Sequence, residues 1–534
     1  MFQRLIASCR GRLIVAGLAA LVAAAPAVAP AQSVTAFRQA IAETAALDDG
    51  LARFYREAAY RPVWNGADAA SRARREALIN AFAGAETHGL PTRRYDPQMV
   101  LDLLANVRND RDRGRVEVEL SRLFASFAND LHSGIVNPRA IDSEISRRVV
   151  RKDADVLLQA FLAADPEDFL RKLSPQTPEY TRLVRAKLGL ERVIARGGWG
   201  APVPGGKFEE GDRGSAIVAL RNRMILMGYL PQVATTTFDS AMTLAVMAFQ
   251  ADHGLEQDGT VGGATLAAIN TPPEDRLGSV LVAMERERWL PEERGDRHVL
   301  VNLTDFKARI IDKGEITFET RSVIGKATSG RRTPEFSDVM EHMIINPSWY
   351  VPRSIIVKEY LPVLQQDPSA LSYLELTDAS GQHADRAQGF AQYDDASFPF
   401  ALRQPPGRSN ALGLVKFMFP NPHNIYLHDT PSKSLFQRSV RDFSHGCIRL
   451  QDPFDFAYAL LARQTSNPRA YFRSILDTGQ ETQVDLEQKI PVHLIYRTAY
   501  TSPRGKTQFR VDVYGRDAEI LNALRAAGVS LAIS

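Results

Sequence analysis

Two cysteines stand in this chain of 534 residues, in very different company. Cys447 falls in Ser444-His445-Gly446-Cys447-Ile448-Arg449, a polar run whose glycine lets the backbone come close to another molecule. A thiol attacks as its thiolate, so it needs a base and N–H donors for the oxyanion that develops. His423, His428 and His445 are the candidate bases in the same stretch. His428 follows a short strand and precedes the turn Asp429-Thr430-Pro431, so it projects from a strand end. His445 reaches toward the same space, two residues from Cys447. The N–H groups of Gly446 and Cys447 are candidate oxyanion donors. His423 follows Pro422 in a turn-like segment and reads as structural. Zinc on His428, His445 and Cys447 is a competing chemistry, but His-x-Cys spacing suits zinc poorly and no second cysteine assists. An inert core thiol is at odds with the polar Ser-His-Gly neighbours.

The compartment sharpens the case for a reactive thiol. Arg4, Arg10 and Arg12 precede an apolar, alanine-rich run over 13–28, and Ala29-Pro30-Ala31 supplies small residues for cleavage. Residues 1–31 therefore read as a secretory signal peptide, and the mature protein as periplasmic. Cys9 would leave with that segment; no apolar stretch precedes it, so it is a poor lipidation site. Cys447 is then alone in an oxidising compartment, where it has no internal disulfide partner. Of 65 basic and 62 acidic residues, three arginines lie in the signal segment, leaving 62 of each sign. That balance gives no electrostatic case for nucleic acid. No other run is apolar enough to span a bilayer, so no integral span is expected after cleavage.

Several units must position these residues, because a chain of this length exceeds what one core supports. Residues 33–200 read as helical; within them Leu120, Leu123, Phe124, Phe127 and Leu131 share a helix face ending before Gly134. His88 and His132, in this part, read as capping or packing residues. A Gly- and Pro-rich linker over 197–206 leads to three short helices within 207–271. From 297 to 475 the pattern turns strand-like, interrupted by a more polar insertion over about 358–410, and Asp452-Pro453 opens a helix. Strands and a helix over 476–534 are expected to pack on the helical or the strand-rich unit.

Ser444-His445-Gly446-Cys447-Ile448-Arg449, with Tyr426-Leu427-His428-Asp429-Thr430-Pro431 upstream, resembles the catalytic signature of L,D-transpeptidases with a YkuD-type domain. Arg331-Arg332-Thr333-Pro334, Asn346-Pro347-Ser348-Trp349 and Asn410-Ala411-Leu412-Gly413 resemble the large multidomain branch. Phe54-Tyr55, His88-Gly89-Leu90 and Ser133-Gly134 are similar to its scaffold domain. Gly211-Asp212-Arg213-Gly214, Gly228-Tyr229-Leu230, Ala248-Phe249-Gln250 and Asp258-Gly259-Thr260-Val261-Gly262 resemble a peptidoglycan-binding module. The fold implied is multidomain α+β: a helical scaffold domain, a three-helix peptidoglycan-binding-like bundle, and a mostly-β catalytic domain whose insertion acts as a lid.

The resemblance also implies roles. Cys447 would be the nucleophile and His428 the general base, oriented by the Asp429 carbonyl. His445 would polarise the site, and Gly446 would lend its backbone to the oxyanion. Tyr426, Ser444 and Arg449 would meet the substrate, Arg449 either holding the loop or pairing with a carboxylate. The reaction implied is 3→3 cross-linking of peptidoglycan stem peptides through a thioester, with no cofactor and no metal. Wall-synthesis accessory proteins are the further partners expected. With the same thioester, water as acceptor would make the enzyme an L,D-carboxypeptidase, and a protein lysine would make it an anchoring enzyme. A spent wall-binding scaffold is countered by intact Cys447, His428 and His445. A glycan hydrolase finds no paired carboxylates in a recognisable arrangement.

Overall fold

The computed structural model describes residues 35–531 apart from 292 and 503–505. The expected signal segment, with Cys9, lies outside the described residues. No helix among those described is long and apolar enough to cross a membrane.

The N-terminal part is helical, and its helices start where side-chain caps are available. Thr35, Asp48, Asp68, Asn109 and Thr177 each accept an N–H of the first turn. The helix bearing the Leu120–Leu131 face begins earlier than the periodicity suggests, running Asp110–Ser133. Its first turns carry a charged face, on which Glu117 is wholly buried. That carboxylate accepts the N–H groups of Val63 (2.5 Å) and Asn65 (2.9 Å) and the Tyr55 hydroxyl (3.1 Å), tying down a loop with no regular partner. His88 bonds the Tyr180 hydroxyl at 3.1 Å, as a packing residue does.

The small bundle comprises helices Ser215–Leu226, Ser240–Asp252 and Gly263–Asn270 around Leu220, Met224, Met242, Val246, Phe249 and Ile269. Buried Gln250 holds the Asp258-Gly259 turn from both ends, reaching Asp258 Oδ1 at 2.7 Å and receiving the Gly259 N–H at 3.0 Å.

A helix Pro273–Trp289 follows, absent from the sequence-based division of the chain. It is buried on nearly every side, including Glu285, Arg286, Glu287 and Arg288. Such charges survive burial only when paired. Arg286 meets Glu335 at 2.6 Å and Asp517 at 3.3 Å, Glu285 meets Arg288 at 2.8 Å, and Glu287 pairs with Arg294 and Arg497. Arg516 extends the network to Asp142 at 2.9 Å and Glu144 at 3.1 Å. The helical part, the strand-rich part and the chain's tail thus share one buried ionic seam.

The strand-rich part is one sheet. Its strands are β1 (Arg297–Asn302), β2 (Lys307–Asp312), β3 (Glu315–Gly325), β4 (Phe336–Ile345), β8 (Val415–Met418), β9 (Leu427–His428), β10 (Asp442–Ser444), β11 (Ile448–Leu450) and β12 (Thr482–Ile495). Their order is β10-β3-β11-β9-β8-β4-β12-β1-β2, and a further β2–β3 pairing closes the sheet on itself. β12, from the tail, is an interior strand, antiparallel to β4 and parallel to β1. Between β4 and β8 the chain builds a separate three-stranded sheet of β5 (Trp349–Tyr350), β6 (Glu375–Thr377) and β7 (Ala401–Gln404), ordered β5-β7-β6. This capping unit has its own core, including Ile355, Leu361, Leu364, Phe390 and Phe398. It takes its first strand upstream of residue 358.

Candidate active site

The geometry of the site follows from strand alternation. β8, β9 and β11 are neighbours in register, with Lys416 opposite His428 and His428 opposite Arg449. Successive side chains point to opposite faces of a sheet. Val415, Phe417, Leu427, Ile448 and Leu450 accordingly enter the core. Lys416, Tyr426, His428, Cys447 and Arg449 emerge together in a cleft of about 1230 Å³, roofed by Trp349, Lys358, Glu359 and Tyr360 of the capping unit.

Cys447 is a free, partly exposed thiol. Its sulfur lies 3.5 Å from the Asn424 carbonyl and receives the Tyr426 hydroxyl. Asn424 holds a left-handed backbone (φ 53°), a conformation asparagine tolerates well. Asn421 staples that turn by donating to the carbonyls of Phe419 (2.6 Å) and Ile425 (2.7 Å). Burial pushes the thiol up to about 11, although Tyr426, Arg449 and Lys416 all pull it down. Tyr426 is itself raised, first by burial and then by the sulfur it faces.

His428 is buried, and its Nδ1 meets the Asp429 carbonyl at 2.5 Å. A carbonyl only accepts, so the proton sits on Nδ1 and Nε2 is left as the basic nitrogen. Burial and neighbouring Arg449 depress this imidazole to about 3, against the opposing pull of the Asp429 and Leu412 carbonyls. The Asp429 side chain is engaged elsewhere, receiving the Leu414 N–H at 2.9 Å and the Lys433 ammonium at 2.7 Å.

The loop before Cys447 is held from within. Ser444 donates its hydroxyl to the Cys447 carbonyl at 2.5 Å and receives the Gly446 N–H at 3.1 Å. Ser444 thus braces the loop while bordering the cleft, and the Gly446 N–H is engaged within the loop. Gly446 matters instead for its shape, with φ 114° and a Cβ position 3.1 Å from Ile425 Cδ1. Its carbonyl receives the Thr333 hydroxyl at 2.7 Å. His445 is exposed and turned toward the capping unit, its Nε2 2.8 Å from Glu359. His423 packs its ring against Phe336 at 5.0 Å between centroids and borders the cleft.

Residues 296–470 match the model of an L,D-transpeptidase catalytic domain. This part of the chain is an L,D-transpeptidase domain. Residues 49–186 match a scaffold domain, and residues 213–269 match a "Putative peptidoglycan binding domain". Over 238 residues the chain is 31% identical to a "Putative L,D-transpeptidase" of Haemophilus influenzae, covering 44% of this chain and 47% of that protein. The chain thus spans about half the length of the curated relative it matches. An L,D-transpeptidase crystal structure from Xylanimonas cellulosilytica is 16% identical, covering 55% of this chain and all of that one with a TM-score of 0.18. One from Stackebrandtia nassauensis is 13% identical, covering 55% and 97% with a TM-score of 0.21. Both likenesses are too slight to bear on the shape of the molecule.

Within the transpeptidase domain, strand register brings Cys447, His428, Tyr426 and Arg449 together as the sequence suggested. It adds Lys416, which alternation within Leu414-Val415-Lys416-Phe417 could have singled out, since a lysine there cannot share the core face of Val415 and Phe417. Arg331, from the Arg331-Arg332-Thr333-Pro334 run, and Glu359 also border the cleft, and no local pattern marked Glu359. Among the described residues, no group of three or more His, Cys, Asp or Glu side chains is placed to hold a metal ion.

Proposed function

We propose that Cys447 is acylated by a peptidoglycan stem tetrapeptide and passes the acyl group to an amine of a neighbouring stem, forming a 3→3 cross-link. The sulfur attacks the carbonyl at the L-centre of the third residue, and the bond to the terminal D-alanine breaks. The thiol proton goes to His428 Nε2 and leaves with the D-alanine amine, so a thioester forms without net proton change. The acceptor amine then opens the thioester and the thiol is restored.

The observation that carries this reading is the shared face of β8, β9 and β11. It sets a thiol, a tautomer-fixed imidazole and two cations side by side in a cleft of peptide size. With the thiol near 11 and the imidazole near 3, the resting pair is neutral at neutral pH. The proton therefore moves as the carbonyl is attacked, when charge leaves the sulfur for the oxyanion. The Cys447 N–H is the readier oxyanion donor of the two, because Ser444 engages that of Gly446. Tyr426 steadies the sulfur. Arg449, which borders the cleft with its Nε unpartnered, suits a donor-stem carboxylate, with Lys416 beside it. The bundle at 213–269 would keep the domain on the wall, and export through the 1–31 segment would place it in the periplasm.

Purified tetrapeptide with the enzyme should give a thioester on Cys447 by intact mass, then a 3→3 dimer. Cys447→Ala should give neither while keeping its melting curve. Dimer formation by Cys447→Ala would sink the assignment.

A further inference from the structure

Glu359 is the one carboxylate among the residues bordering the catalytic cleft, against Arg331, Lys358, Lys416 and Arg449. It comes from the capping unit, on a widened π turn at Ile356–Tyr360 within an otherwise α-helical run. Such turns re-aim a side chain and recur at functional sites. Its Oε1 receives both His445 Nε2 at 2.8 Å and Arg331 Nη2 at 2.5 Å. No hydrogen bond reaches its Oε2 among the described residues, and the side chain keeps 30% exposure. Lys416 and Arg449 lie on the floor beside Cys447, Lys358 borders the cleft from the capping unit, and a half-engaged carboxylate hangs from the roof next to His445.

We infer that Glu359 and His445 form the acceptor subsite, Glu359 holding the acceptor's ammonium and His445 taking its proton. This rests on the acyl-transfer reading above and names the group that selects an amine over water. A carboxylate only accepts, so the bond fixes the His445 proton on Nε2 and leaves Nδ1 as a base. Binding positions the acceptor as an ammonium, which first gives up one proton to solvent. The neutral nitrogen then attacks the thioester carbonyl, its N–H proton passes to His445 Nδ1, and the C–S bond breaks. The sulfur leaves as thiolate and recovers one proton in the net reaction, so an amide and a thiol replace a thioester and an amine. His428 would serve the donor half of the cycle and His445 with Glu359 the acceptor half.

The test is partition of the acyl-enzyme. The full chain is acylated with tetrapeptide and chased with an acceptor stem; cross-linked dimer and hydrolysed tripeptide are counted by mass. In Glu359→Gln the dimer-to-tripeptide ratio should fall by about tenfold or more, and half-maximal dimer formation should need more acceptor. Glu359→Asp should recover part of the ratio. A ratio within about twofold of wild type overturns the inference, as does an equal loss of acylation and aminolysis, which would make Glu359 a latch for the cap. A wild-type chain that acylates but only hydrolyses also overturns it, leaving the thioester chemistry intact. A wild-type chain that never acylates refutes the parent reading instead, before any variant is needed.

Discussion

The protonation state of the resting thiol is open to direct measurement. A thiol raised from 9.0 to about 11 holds about one thiolate in 10⁴ at pH 7, against about one in 100 for the unperturbed group. Alkylation by iodoacetamide, followed by intact mass with the adduct mapped to Cys447, should therefore rise tenfold per pH unit from 7 to 10 with no plateau. At pH 7 to 8 the native chain should react about a hundredfold more slowly than the chain in urea, a gap that narrows to about tenfold at pH 10 as the unfolded thiol ionises. Tyr426→Phe removes a donor to the sulfur and should slow alkylation further at fixed pH, whereas mere loosening of the cleft would speed it. A plateau below pH 8 would refute the reasoning, because it would mean a thiolate–imidazolium pair exists before substrate arrives.

Other perturbations give equally definite outcomes. His428→Asn should reduce acylation by about 10²- to 10⁴-fold, read as the thioester-forming rate, with little change in melting temperature. Gly446→Ala places a Cβ against Ile425 at φ 114° and should cost about 1–3 kcal/mol in denaturant unfolding, together with loss of acylation. Arg286→Met leaves buried Asp517 without its ion pair and Glu335 with Arg516 alone, and should cost about 3–5 kcal/mol, measured the same way. Acid should destabilise the fold as buried imidazoles charge. His428 and His253 are depressed to about 3, and His88 and His493 to about 4, all below the ordinary 6.5. Their contribution is complete above pH 6.5 and is lost as pH falls toward 3, while Asp517, raised to about 6 by burial, offsets part of the loss. Melting temperature should drop steadily from pH 7 to pH 4; a flat profile would contradict the burial of these rings.

Short-range spacing made the centre of the site legible. Tyr426, His428 and Cys447 lie within one strand–loop–strand passage, and a strand end is readable from Leu427 and the Asp429-Thr430-Pro431 turn. The small bundle was legible for a similar reason, since Asp239, Asp258-Gly259 and the 3.6-residue apolar rows are local signals. What escaped depends on distant parts of the chain. Glu359 meets His445 from 86 residues away, and no periodicity encodes that contact. The Pro273–Trp289 helix hid because apolar patterning marks a one-sided face, whereas its Glu285-Arg286-Glu287-Arg288 run is buried through pairing. Composition likewise does not announce that the Gly446 N–H and the Ser444 hydroxyl bond each other at 3.1 Å within the loop.

The position of β12 has a consequence in time. The sheet that carries Cys447 closes only when residues 482–495 slide between β4 and β1, long after the catalytic loop has been made. Pairings between segments so far apart in sequence form late, because the loop entropy must be met before they return any stability. While the tail is still emerging, the cleft lacks its closed sheet and the thiol has no built environment. The acyl-transfer site is therefore complete only once residues 482–495 are in place, although the bare thiol is the more easily alkylated before then.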